Sequence, residues 1–204
     1  MEALSLSPFH LDVLKEIGNI GAGNAATALA KLIDKKVDMN VPQVRIMGFS
    51  EISDVLGGAE TPVVGVLLGI HGDISGYTLF LLQESAAHIL VNLLMGKDPY
   101  DKFEYNDMSI SALKEVGNIL TGSYLSSLSN LTGLSIMSGV PGIAIDMAGA
   151  ILSVPAIDFA ATTDVVLYIE TEFIEGDESV IGGFFLVPDS ASYTKLLKTL
   201  GAMC

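Results

Sequence analysis

Apolar residues fall at three- and four-residue spacing from Leu11 to Ile20 and again from Ile110 to Ile119, the periodicity of helices that bury most of their circumference. The first helix is predicted from about Pro8 to Asn19 and a second from about Asn24 to Ile33. Gly21 and Gly23 are read as the break between them, because Gly in a helix interior costs about 1 kcal/mol relative to Ala. Further along, β-rich segments predict strands at Gln43–Phe49, Val63–Ile70 and Ile74–Leu82, then at Gly142–Leu152, Val165–Phe173 and Val180–Val187. His71-Gly72-Asp73 and Glu175-Gly176-Asp177-Glu178 read as hairpin turns, which imply antiparallel pairing. Short amphipathic stretches follow at Ser85–Leu94 and Ser190–Leu200.

These elements repeat. Leu11–Asn24 lies over Ile110–Ser123 at an offset of 99, with seven of 14 positions identical, and Pro42 meets Pro141 at the same offset. The chain is therefore expected to be one domain over 1–204, built from two units at about 8–95 and 107–200. The fold class is α+β: two pseudo-symmetric α-α-β-β-β-α repeats forming one antiparallel sheet of about six strands with packed helices.

On a helical wheel started at Leu11, the polar residues Lys15, Asn19, Asp12 and Glu16 collect within a strip of about 100°. The second copy puts Lys114, Asn118, Ser111 and Glu115 in the same places. A solvated face explains one such strip, since any polar residue serves there. It does not explain why Glu and Asn return at i and i+3 in both copies while most of the flanking sequence has drifted.

Other chemistry is narrowed by composition. Ten Lys and Arg against 24 Asp and Glu leave a formal charge of −14, a surface ill suited to nucleic acid. The single Cys204 can form no intramolecular disulfide, so a reduced, cytoplasmic setting is expected. Half the residues are hydrophobic, yet the longest apolar stretch carries Asp146, Pro141 and Pro155, and no membrane insertion is expected. His10, His71 and His88 have no ligand-like spacing, so no metal site is expected. Gly18, Gly21 and Gly23 follow a helix and stand in the wrong order for a dinucleotide fingerprint. An exposed amide and carboxylate can orient a water and grip a cation, which suffices for phosphoryl hydrolysis if a partner supplies the electrophile.

The pattern of Asp or Ser, three residues, Glu, two residues, Asn, then 22 residues and Pro occurs twice: as Asp12, Glu16, Asn19 and Pro42, and as Ser111, Glu115, Asn118 and Pro141. It resembles the signature of the CheC/CheX/FliY family of CheY-phosphate phosphatases in bacterial chemotaxis, and the likeness, duplication included, covers nearly the whole chain. The resemblance implies a hydrolase acting on the aspartyl phosphate of the response regulator CheY. Asn19 and Asn118 would orient the attacking water, and Glu16 and Glu115 would hold a lysine of the partner. Asp12 and Ser111 would support the helix face, and Pro42 and Pro141 would shape the approach to a strand. No cofactor of its own is implied; magnesium is expected in CheY. The family also implies binding of the receptor deamidase CheD, for which the hydroxyl-rich helix Thr121–Leu131, with Ser123, Ser126 and Ser127, is the candidate surface. Two other readings remain open: a non-catalytic adaptor regulating CheD, and a flagellar switch-like component.

Overall fold

The computed structural model describes residues 8–159 and 165–201. Its first half runs α1 (Pro8–Ile33), β1 (Asp38–Asn40), β2 (Val44–Gly48), a 3-10 turn (Phe49–Glu51), α2 (Ile52–Val55), β3 (Pro62–Gly72), β4 (Gly76–Gln83) and α3 (Glu84–Leu94). The second runs α4 (Asp107–Thr132), β5 (Ile136–Ser138), β6 (Gly142–Met147), α5 (Ala148–Phe159), β7 (Val165–Glu175), β8 (Glu178–Pro188) and α6 (Ser190–Gly201). Apart from the 3-10 turn, the halves correspond element for element, as the repeat predicts.

Every strand pairing is antiparallel. β4 and β8 lie side by side at the centre, flanked by β3 and β7; β1 and β2 close one edge on β7, and β5 and β6 close the other on β3. The outermost strands have thus changed partners: β2 of the first repeat pairs with β7 of the second, and β6 of the second with β3 of the first. Period-two alternation sends Val64, Val66, Leu68, Phe80, Leu82, Leu167, Ile169, Phe184 and Leu186 into one core beneath α1, α3, α4 and α6. Val63, Leu79, Leu81, Val166, Tyr168, Phe185 and Val187 form a smaller core on the opposite face with Ile52, Leu56 and Leu152 of the α2 and α5 region.

Three expectations change. Each predicted pair of helices is one 26-residue helix, α1 or α4. Gly21 does not break α1, because it lies where the two long helices cross: an added Cβ would stand 2.4 Å from Tyr124 Cδ1 and 3.2 Å from Tyr124 Cα. The packing between helices outweighs the local propensity of Gly. Real ends come later, at Asp34 (φ +53°) after α1 and at Gly133 (φ +72°) after α4, whose N–H donates to the Ser129 carbonyl at 2.8 Å. Second, the strand predicted over Gly142–Leu152 stops at Met147, where Ala148 N–H and Gly149 N–H donate to Thr61 and Ala59 carbonyls and α5 begins. Third, the short strands β1 and β5 raise the sheet from about six strands to eight.

Candidate functional site

The long helices hold the duplicated motif in matching frames. Asn106 caps α4, its side-chain oxygen accepting from Met108 and Ser109 N–H at 3.0 Å, while Ser109 Oγ accepts from Asn106 N–H at 2.8 Å. Leu14, Ile17, Leu113 and Val116 are buried against the sheet. Being fixed on that side, the helices turn Asp12, Glu16 and Asn19, and Ser111, Glu115 and Asn118, outward, and all six are exposed. The i, i+3 spacing puts each Glu and Asn on one face, with Cβ atoms about 5–6 Å apart.

Between the Glu and the Asn of each pair sits a buried glycine, Gly18 or Gly117. A Cβ on Gly18 would be 3.4 Å from Val41 Cγ1 and 3.7 Å from Val44 and Ile169, which are paired across β2 and β7. A Cβ on Gly117 would be 2.6 Å from Val66 Cγ1, on the strand position paired with Ile143 of β6. Each motif thus rides on a helix seated, through glycine, over a strand pair drawn from both repeats. Neither glycine was singled out as part of the site in the sequence, although a mid-helix Gly kept in both copies was a signal available there.

Among the described residues, none of the four Glu and Asn side chains has a hydrogen bond or ion pair within the chain. A carboxylate and a carboxamide standing side by side in water with their hydrogen-bonding capacity unspent can serve an incoming molecule: the first takes a cation, the second orients a water through its oxygen and N–H groups. Pro42 lies exposed between β1 and β2, and Pro141 half-buried between β5 and β6, both just ahead of the strand that flanks the motif helix.

The hydroxyl-rich surface on α4 is smaller than expected. Ser127 is buried, and its hydroxyl donates to the Ser123 carbonyl at 2.9 Å, so it presents nothing outward. Ser123 is half-buried and Ser126 exposed. The three histidines fall on α1, β3 and α3, and His88 is held in a stack on Phe103 at 4.1 Å with Tyr105 Oη at 3.2 Å. Among the described residues no cluster of His, Cys, Asp or Glu could hold a metal ion, and no helix is long and apolar enough to cross a membrane.

The CheC-like family model matches residues 9–46 and 108–145, the two segments that carry the motif helices and the strands after them. The CheY-P phosphatase CheC of Bacillus subtilis is 36% identical over 197 residues, 95% of this chain and 94% of that protein. The chain belongs to the CheC-like family. As a CheC-like protein it is a phosphatase. The flagellar motor switch phosphatase FliY of Bacillus subtilis is 32% identical over 143 residues, 70% of this chain and 37% of that protein. The fold is shared with the crystal structure of Thermotoga maritima FliY, with a TM-score of 0.76 at 24% identity over 98% of this chain and 99% of that one.

Proposed function

We propose that this chain hydrolyses the aspartyl phosphate of CheY at two helix-borne sites, Glu16 with Asn19 and Glu115 with Asn118. The observation that carries the reading is the outward, uncommitted Glu and Asn pair, held twice in the same frame on α1 and α4. The similarity to a CheY-P phosphatase along nearly the full length supplies the substrate.

The chemistry needs little from this protein. Water attacks phosphorus in line with the acyl-phosphate P–O bond, which breaks to return the regulator's carboxylate and release inorganic phosphate. Asn19 or Asn118 holds that water by its carboxamide, removing the entropy of finding the in-line position. Glu16 or Glu115, a turn away, binds the regulator's lysine and fixes the register of docking. Magnesium, in this reading, belongs to CheY and offsets the phosphoryl charge. Asp12 and Ser111 extend each stripe by one turn, and Pro42 and Pro141 shape the strand beside it.

The test is the decay of CheY phosphate with magnesium present. The intact chain should accelerate it; Glu16→Ala/Asn19→Ala and Glu115→Ala/Asn118→Ala should each remove part of the effect, and all four changes together should abolish it. Acceleration indifferent to the four changes would sink the assignment.

We further infer that the chain binds CheD through α4, centred on Ser126 with the edge of Ser123. Ser126→Arg should abolish capture of purified CheD and leave phosphate decay unchanged; undiminished capture would remove the surface.

A further inference from the structure

The exposed stripe that carries each motif begins with a large apolar residue. On α4 it runs Met108, Ser111, Glu115, Asn118, and on α1 it runs Phe9, Asp12, Glu16, Asn19, the same spacing of three, four and three. Met108 is 68% exposed and Phe9 44%. Leu11, Val13 and Leu14, or Ile110, Ala112 and Leu113, are drawn toward the protein, so the exposed pair is not simply the end of the buried side. A single exposed Phe or Met is ordinary on a protein surface, but here one stands in line with the motif at equivalent positions of both repeats.

The second stripe has more. Gly117 sits over Val66, whose partner on β6 is Ile143; from there β6 runs toward Met147, opposite Pro62. The C-terminal end of α4 lies at the other end of β3, where Ser135 O accepts from Asp73 N–H, so β6 leads back toward the N-terminal half of α4. Ile145 and Met147 occupy alternate positions on the same side of the strand as Ile143, and are 38% and 53% exposed. Their counterparts at the first site are the half-buried Ile46 and Gly48.

We propose that Met108 and Phe9 are apolar docking residues of the two sites, and that Met108 with Ile145 and Met147 makes the second the tighter-binding one. The occupant is the phosphorylated regulator of the reading above, on which this inference rests. It would seat an apolar side chain against the pad while its phosphate pocket receives Glu and Asn, about two and three turns along the helix. Continuity of the stripe with those residues ties the pad to this partner. The pad touches no reacting atom, so it supplies uniform binding and leaves the chemical step alone.

The test uses the full chain carrying Glu16→Ala/Asn19→Ala, in which only the second site works, with CheY phosphorylated by acetyl phosphate in magnesium. Met108→Asp places an acid in the first turn of α4, where the helix dipole favours it, so the fold is kept. KM should rise at least about tenfold, with kcat held within about twofold. Met108→Leu should retain the parent KM, and Ile181→Asp, an exposed apolar position on the opposite face of the sheet, should leave both constants alone. Phe9→Asp in the Glu115→Ala/Asn118→Ala chain should raise KM less. An unchanged KM with Met108→Asp, or a fall in kcat at constant KM, overturns the docking role while leaving the catalytic pairs standing. No acceleration by the intact chain overturns both readings, and is a different result.

Discussion

Gly21 of α1 and Tyr124 of α4 mark the point where the two motif helices touch, with room for a hydrogen and none for a methyl group. Gly21→Ala should therefore destabilise the protein by up to about 2 kcal/mol, overpacking toward the upper end of about 1–3 kcal/mol outweighing a propensity gain of about 1 kcal/mol. Gly23, two residues on, would find nothing within 4 Å of an added Cβ, so Gly23→Ala should stabilise by up to about 1 kcal/mol. Urea midpoints of the two variants should move in opposite directions. Movement in the same direction would show that propensity, and not the crossing, governs α1.

Tyr124 Oη and Thr171 Oγ1 share a buried hydrogen bond of 2.9 Å between α4 and β7. Thr171→Val keeps the shape and leaves the phenol without its partner, a loss of about 1–3 kcal/mol. Burial pushes the Tyr124 phenol up to about 12, against the smaller opposing pull of Thr171. The folded value lies above the unfolded value of about 10. Its contribution is thus whole below pH 10 and is lost as pH rises from 10 toward 12. Tyr124→Phe should flatten that alkaline limb in stability measured from pH 9 to 12; an identical limb would place the titrating group elsewhere.

Gly117→Ala forces a methyl group against Val66, whereas Gly18→Ala meets Val41 at a distance the side chain can absorb. In chains where one site alone is active, Gly117→Ala should lower kcat at the second site by about tenfold or more, since shifts well under an ångström matter to water positioning. Gly18→Ala should lower the first by less than about threefold. Equal losses would argue that the seating of the helix does not set the geometry of the pair.

Asp73, in the β3–β4 turn, pairs with Lys195 of α6 at 2.5 Å and accepts from Ser135 N–H at 2.9 Å. The hydrogen bond from Lys195, before the one from Ser135, holds the carboxyl below its ordinary value. The stability it contributes is present above the unfolded value near 3.8 and fades as pH falls through the lower folded one. Parent and Asp73→Asn chains should differ by a constant amount from pH 7 to 5, and the gap should narrow as pH falls below about 4. A gap that does not narrow at all below about pH 4 would assign the effect to shape instead of charge.

The site was more legible than its support. Outward projection of Glu16, Asn19, Glu115 and Asn118 follows from a wheel, because burial of Leu14, Ile17, Leu113 and Val116 fixes the opposite side. The continuity of α1 could not be read locally: nothing near Gly21 announces Tyr124, a contact made across 103 positions of sequence. The end of β6 is a different failure. Gly142 to Leu152 is apolar but for Asp146 and suits a strand or a helix alike, but transferring the end of the first strand at Phe49 by 99 positions would have stopped it at Ala148, where α5 starts. Strands as short as β1 and β5 carry too few residues for any alternation to register.

The exchange of outer strands has an evolutionary cost and an evolutionary freedom. Each motif helix rests on a floor contributed by the other half, so neither half can be shed, whatever becomes of its Glu and Asn. Those side chains, by contrast, project into water and support nothing inside the protein. In the reading proposed above, a lineage can silence one centre by two substitutions and still must keep all the masonry around it, so the number of working centres can drift from two to one or none without any trace in the architecture.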